Sequence, residues 1–284
     1  MKRILLTGRN GQLGWELQRT LAPLGEVCAL GRDKLDLADA DAVRATIRTL
    51  RPDLIVNAAA YTAVDQAERE TSLAMRVNAE APGVMAEEAS RIGAQLVHYS
   101  TDYVFDGTKD GPYGEDDAPA PSNAYGHSKL AGEQAIRESG CRHLIFRVSW
   151  VYGLHGKNFL RTILRLAEER EELRIVADQF GAPTWSRLIA ETTAIALGRP
   201  QPLEGLYHLA TDGHTSWHGF ARAILDLTRN RRIREPRLSA ISTQEHPLPA
   251  ARPGNSRLKC ERLAQDASIR LPGWQDVLGL CLAH

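Results

Sequence analysis

The sequence predicts an α/β chain: a doubly wound parallel sheet covered by helices on both faces, followed by a smaller C-terminal substrate-binding domain. Three observations predict it. In the first half, short aliphatic or β-branched runs alternate with longer segments of helical period, the pattern of parallel strands joined by crossover helices. The first of these runs feeds directly into a glycine-spaced loop, Thr7-Gly8-Arg9-Asn10-Gly11-Gln12-Leu13-Gly14. After about Trp150 the alternation loosens, which divides the chain into residues 1–150 and 151–284, with some later segments returning to the first part.

Strands are expected over residues 4–6, 27–30, 54–56, 96–99 and 144–148, where aliphatic and β-branched side chains run together. Helices are expected between them over 12–21, 40–50, 72–92 and 124–138, whose apolar spacing and length suit crossovers. Gly, Pro, Asp and Glu dominate residues 107–122, so this stretch reads as a surface loop at the carboxyl end of the fourth strand. Open α/β sheets bind their ligands at that edge. Beyond Trp150, helices are expected over 159–172, 187–197 and 217–230. The basic cluster Arg229, Arg231, Arg232 and Arg234 reads as the solvated end of the last of these.

Composition narrows the function classes. A chain of 284 residues with 43% hydrophobic and 25% charged residues lies far from the disordered corner and has material for one large or two coupled cores. Lys plus Arg equals Asp plus Glu at 35 each, so the electrostatic footprint of a nucleic-acid binder is missing. Cys28, Cys141, Cys260 and Cys281 are far apart with no C-x-x-C spacing, which speaks for reduced thiols and against a zinc knuckle or disulfide framework. Only Ile4-Leu5-Leu6 separate Met1-Lys2-Arg3 from Thr7, too short a core for a signal peptide, and no run approaches the roughly eighteen apolar residues of a membrane span. The expectation is a cytoplasmic protein that meets neither membrane nor nucleic acid.

The loop from Thr7 to Gly14 is a G-x-x-G-x-x-G that opens an expected helix. Without a Cβ, glycine permits a tight turn and lets the backbone approach a pyrophosphate, while the helix N-terminus offers N–H groups to negative charge. A glycine turn of purely structural purpose is the alternative; the strand before and the helix after favour a dinucleotide and make the sheet Rossmann-like. An NAD-selective site carries an acidic residue at the end of the second strand, where this chain has Gly31-Arg32, with Asp33 beside it. A guanidinium suits a 2′-phosphate, so NADPH is the first choice and NADH the second, against an Arg32 that merely faces solvent. The third strand ends in Asn57-Ala58-Ala59-Ala60, small side chains where a dinucleotide would pass or where a loop would simply pack.

Tyr125-Gly126-His127-Ser128-Lys129 sets a tyrosine and a lysine one turn apart on an expected helix. A lysine cation near a phenol lowers its pKa from about 10 and prepares it as an acid or base, although Y-x-x-x-K also arises by chance on solvated helices. Upstream, Ser100-Thr101-Asp102 closes a strand and brings a hydroxyl to the same edge; such residues also cap turns. The glycine loop, the hydroxyl and the Tyr/Lys pair in this order resemble the short-chain dehydrogenase/reductase superfamily, in its extended branch with a C-terminal substrate domain.

Further segments narrow the resemblance: His98-Tyr99-Ser100-Thr101-Asp102-Tyr103-Val104-Phe105-Asp106-Gly107, then Arg147-Val148-Ser149-Trp150-Val151-Tyr152-Gly153. Asp178-Gln179-Phe180-Gly181-Ala182-Pro183-Thr184 and Arg252-Pro253-Gly254-Asn255-Ser256-Arg257-Leu258 continue it. Over nearly its whole length the chain is similar to the dTDP-4-dehydrorhamnose reductases, which implies reduction of a dTDP-linked 4-keto-6-deoxy-L-hexose to dTDP-L-rhamnose. It implies that Gly11, Gln12 and Leu13, within the Gly8–Gly14 loop, line the pyrophosphate; that Asp36 and Leu37 meet the adenine; and that Ala60, Tyr61, Thr62 and Tyr99 follow the cofactor. Tyr125 would be the proton donor, Lys129 would bond the nicotinamide ribose and tune Tyr125, and Thr101 would steady the reacting oxygen. Thr62, Val64, Asp102 and Trp150 would contact the sugar nucleotide, and Arg252 or Arg257 its diphosphate, with a merely structural loop as the alternative.

Some members of that family place a divalent metal between two subunits using glutamates from three segments. Glu16 fits the first, but Arg187 and Gln275 stand at the other two, and the loss of two carboxylates argues against a hard-cation site. Monomer and homodimer are both open. Two other readings share the fold: a binding partner like the regulatory subunit of methionine adenosyltransferase, which resembles this family, and a sugar-nucleotide epimerase or dehydratase that retains its NAD.

Overall fold

The computed structural model describes residues 1–283. The chain builds β1 (Lys2–Thr7), α1 (Gln12–Leu21), β2 (Gly25–Leu30), α2 (Ala40–Leu50), β3 (Leu54–Asn57), the short α3 (Val64–Ala67) and α4 (Thr71–Met75), then α5 (Ala81–Ile92), β4 (Gln95–Thr101), α6 (Ala124–Glu138) and β5 (Arg142–Val148). There follow β6 (Val151–Tyr152), α7 (Phe159–Glu169), β7 (Glu172–Val176), β8 (Phe180–Gly181), β9 (Thr184–Trp185), α8 (Ser186–Leu197) and β10 (Gly205–Leu209). The chain closes with β11 (Thr215–Ser216), α9 (Trp217–Leu227), β12 (Arg237–Ile241), β13 (Asn255–Ser256), α10 (Glu261–Ala267) and α11 (Trp274–Leu282).

Six strands make one parallel sheet in the order β10-β5-β4-β3-β1-β2. Because helices cover both faces, Ile4, Leu5 and Leu6 are all buried, without the alternation of a half-exposed strand. Ile4, Leu6, Val97 and Tyr99 pack with Leu13, Leu17 and Leu21 of α1 and Ile189 of α8. Leu5, Ile55 and Leu96 face the other way, onto Val43 and Ile47 of α2, Met85 of α5 and Ile136 of α6. A third core joins α7, α9 and α11 through Leu160, Ile163, Phe220, Ile224, Trp274 and Leu278. Short strand pairs, β7 with β12 and β6 with β9, flank this core, while β8 pairs with both β11 and β13.

The expected helix over 72–92 is a single helical run with a π turn over Arg76–Glu80. Pro82, inside the next turn, has no N–H for the carbonyl of Asn78. That carbonyl instead meets α6 at Gly132, where an added Cβ would lie 2.1 Å from it. The helix expected over 159–172 stops at Glu169, because the charged run from Glu168 to Glu172 carries no apolar period and its end enters β7. The helix expected to Asn230 ends at Leu227. Two of the arginines beyond it serve helix ends: Arg232 donates to the Leu225 carbonyl and Arg231 to that of Leu282, each at 2.7 Å. β10 had no counterpart among the expected strands; it adds to β5 at the sheet edge, while α8 packs on α1.

One buried ion pair ties α6 to the sheet. Arg147 of β5 reaches Glu133 of α6 through two hydrogen bonds, of 2.9 and 2.6 Å, and both side chains are almost fully buried. Removing one member leaves the other charged and dry. Glu133→Ala is therefore expected to lower stability by ~3–5 kcal/mol in denaturant titration, with Glu133→Gln costing less.

Candidate active site

The strand order reverses between β1 and β3: the chain moves from β1 to β2 on one side, then returns to lay β3 on the other. At such a point the connecting loops diverge and leave a crevice at the carboxyl ends of the strands. A cleft of about 910 Å³ opens there. Gly8, Gly11, Gln12, Leu13, Arg32, Asp36, Leu37, Ala60, Tyr61, Thr62, Val64, Tyr99, Thr101, Asp102, Tyr125, Lys129 and Trp150 all line it.

At its floor, Gly8 takes φ +75, and a Cβ there would lie 2.7 Å from the Ala59 nitrogen. The loop after β1 therefore lies directly on the loop after β3, which needs the small residues Ala58 and Ala59. Gly14 is not among the residues lining the cleft: a Cβ on it would strike the Gly8 carbonyl at 2.1 Å, so it lets α1 close onto the loop. Gly11 is the N-cap of α1, and no side chain caps the first-turn N–H groups. They are available to an anion in the cleft. At the end of β2 the exposed Arg32 reaches Asp36 at 3.5 Å.

The reacting end is drier. Thr101 closes β4 and its hydroxyl donates to Asp102 Oδ1 at 3.2 Å while accepting from the Tyr103 N–H. Tyr125 enters from the first turn of α6, which Asn123 caps by accepting from the Gly126 N–H at 2.8 Å. Burial pushes the Tyr125 phenol up to about 12, although a hydrogen bond with Thr101 pulls the other way. Lys129 Nζ donates to the Tyr99 carbonyl at 2.7 Å and lies 3.0 Å from His98 Nε2. Burial also draws Lys129 down, to about 8. Tyr99 contributes this carbonyl, while its ring sits in the core with its hydroxyl 2.8 Å from that of Thr193.

Trp150 stands at φ 45, left-handed for a residue with a side chain, and stacks on Trp217 at 3.5 Å between ring centroids. Gly181 makes room for it, since a Cβ there would lie 2.5 Å from the indole; this accounts physically for the glycine of the D-Q-F-G-A-P-T segment. Beyond Tyr103 and Trp217 a second cavity of about 420 Å³ continues, with Phe159, Arg174, Leu248 and Arg252 in its wall. Arg252 donates to Asp65 at 2.8 Å on that side. Arg257 lines neither cavity; it donates to Asn255 Oδ1 beside it and to the Asp110 carbonyl of the 107–122 loop. Glu16 pairs with Arg19 at 2.8 Å, and Arg187 with Glu191 at 3.0 Å.

The sequence reading assigned no role to His98, Trp217 or Lys157. Lys157 reaches the cleft from the loop after β6, where His155 lies against the Asn10 carbonyl and stacks on Trp15. No local pattern marks that loop as a neighbour of the glycine loop; the contact spans just over half the chain. Trp217 could have been noticed as an aromatic opening an expected helix.

The family model described as RmlD substrate binding domain matches residues 1–284. The chain is 51% identical to a dTDP-4-dehydrorhamnose reductase of Burkholderia thailandensis, over 99% of this chain and 98% of that protein. It is 48% identical to the enzyme of that name from Escherichia coli, over 96% and 94%. The solved dTDP-4-dehydrorhamnose reductase of Bacillus anthracis, in complex with NADP, superposes with a TM-score of 0.92 at 36% identity, covering 99% of both chains.

Asp102 supplies a test of how dry this end is. Its carboxyl is buried, and burial pushes its pKa up from 3.8 to about 6 against hydrogen bonds from Ser256 and Thr101 that pull it down. Between these values the folded chain binds more protons than the unfolded one, so stability falls as pH rises through that window. Asp102→Asn removes the dependence. Relative to the parent, the variant is expected to gain on the order of 1–3 kcal/mol between pH 4 and pH 7; parallel stability curves from denaturant titration would show a hydrated carboxylate instead.

Proposed function

We propose that this chain, which belongs to the dTDP-4-dehydrorhamnose reductase family, reduces the C4 ketone of dTDP-4-dehydro-6-deoxy-L-mannose to dTDP-L-rhamnose, the last step in making that sugar nucleotide. The observation that carries the reading is the meeting of Thr101, Tyr125 and Lys129 at the carboxyl edge of a switch-point cleft. Residues 1–150 would hold the dinucleotide and 151–284 the sugar nucleotide, apart from α8 and β10, which pack with the main sheet.

The residues present fit a dinucleotide. The uncapped start of α1 faces the pyrophosphate position, and Lys157 adds a cation from the loop after β6. Arg32, exposed at the end of β2, supports NADPH over NADH by offering a guanidinium to a 2′-phosphate. NADPH, when bound, supplies the hydride. The phenol of Tyr125, held protonated by burial, gives its proton to the oxygen that gains negative charge, and the Thr101 hydroxyl steadies that oxygen. Trp150 and Trp217 hold the sugar against one wall, and the cavity beyond them, with Arg174 and Arg252, takes the nucleotide end. The four cysteines are free, in keeping with a reducing compartment such as the cytoplasm.

The reading is tested by following nicotinamide absorbance with the keto sugar made in the cuvette by the two preceding enzymes. Substrate-dependent loss of absorbance with dTDP-L-rhamnose as product is expected, faster with NADPH than with NADH. Cofactor binding without turnover would favour a non-catalytic relative. Tyr125→Phe is expected to bind NADPH normally and to lose at least ~100-fold in kcat; a near-normal rate would reassign the proton donor.

A further inference from the structure

We propose that His155 is a positioning residue acting through Lys157: latched onto Trp15 and the Asn10 carbonyl, it holds that lysine toward the pyrophosphate of the dinucleotide. The inference rests on the dinucleotide reading of the cleft given above. Among the described residues three cations line that cleft, Arg32, Lys129 and Lys157. Arg32 stands at the end of β2 and is paired with Asp36, while Lys129 is engaged by the Tyr99 carbonyl at the reacting end. Lys157 follows Gly156, which faces the glycine loop: a Cβ there would lie 3.1 Å from Gln12 Cγ. It is the cation placed for the middle of a dinucleotide, where the start of α1 offers only about half an elementary charge to the diphosphate.

The chain arrives there as a built turn. Asn158 caps α7, and its side-chain amide donates to the Gly153 carbonyl at 2.8 Å and to that of His155 at 3.4 Å. Arg161, in the first turn of α7, donates to the Gly156 carbonyl at 2.9 Å, and Gly156 takes φ +74. These bonds set the shape of residues 153–158 on α7 without attaching the turn to the glycine loop.

His155 makes that attachment. Its ring lies on the Trp15 indole, with centroids 4.4 Å apart and planes 10° from parallel. Its Nε2 is 3.2 Å from the Asn10 carbonyl; a carbonyl only accepts, so that nitrogen carries a proton. Trp15 is 54% exposed, on the side of α1 away from the buried Leu13, Leu17 and Leu21, so core packing does not account for it. Asn10, Gly11, Gln12, Gly156 and Lys157 line the cleft, whereas His155 and Trp15 do not. The latch sits behind the wall and acts on the cofactor only through the residues it places.

The test is the affinity for NADPH and for NADH, read from nucleotide fluorescence without any sugar, so that it does not depend on turnover. Lys157→Ala is expected to weaken both cofactors by the same factor, about tenfold, because the pyrophosphate is common to them. Unchanged affinity would overturn the proposal, and so would a loss confined to NADPH, which would place the lysine at the 2′-phosphate. His155→Ala is expected to weaken binding roughly three- to tenfold, and His155→Phe, which can still stack on Trp15, by less than about twofold. The double variant decides whether the two act together. Adding His155→Ala to Lys157→Ala is expected to cost less than about twofold more; losses that multiply would show His155 acting by another route and overturn the proposal. A parent protein that binds both cofactors with this pattern but turns over no keto sugar would instead sink the reductase reading and leave this one standing.

Discussion

Six parallel strands ending at one edge impose the condition on which the site depends: every side chain at a strand's carboxyl end must share that edge with its neighbours. Thr7, Asn57 and His98 form a row because their strands are in register, and Thr101 stands three residues further along β4. The reversal of strand order beside β1 opens the crevice above the row. The glycine loop can then lie at backbone distance on Ala58 and Ala59, which fixes the floor. α6 is held over the row by the Glu133–Arg147 pair and by Gly132 against the Asn78 carbonyl. Lys129 and Tyr125 arrive at the edge as consequences of that docking.

Burial, more than any single charge, governs the chemistry of this edge. It raises Tyr125 and Asp102 and lowers His98 and Lys129, so that all four move toward their neutral forms. A site of that kind suits the donation of a proton to an oxygen that is gaining charge. It also makes each internal hydrogen bond matter, since a mismatched donor has no water to turn to. The outer parts of the cleft differ: Arg32 and Lys157 are exposed, as befits groups that meet phosphate from solvent.

The parallel sheet, its first five strands and the crossover helices were legible because each carries a local signal: apolar runs for the strands, helical spacing for the helices. Gly8, Thr101, Tyr125 and Lys129 were legible for the same reason, as residues at element ends or one turn apart. The rest depends on contacts distant in sequence. β10 is five residues long and lies more than fifty beyond β5, so only pairing reveals it. Lys157 joins the glycine loop through a stack of His155 on Trp15, and Gly181 has a purpose only once Trp150 is seen above it. Arg257 looked like a phosphate partner by type, yet it lines neither cavity and donates to Asn255 and to the Asp110 carbonyl.

The central claim is that one cleft delivers hydride and proton to the same carbonyl. It is tested most directly by turnover with NADPH deuterated at its transferable position, followed by location of the label in the sugar. The account predicts deuterium at C4 of dTDP-L-rhamnose. A product unlabelled at C4, or labelled at another carbon, would contradict it.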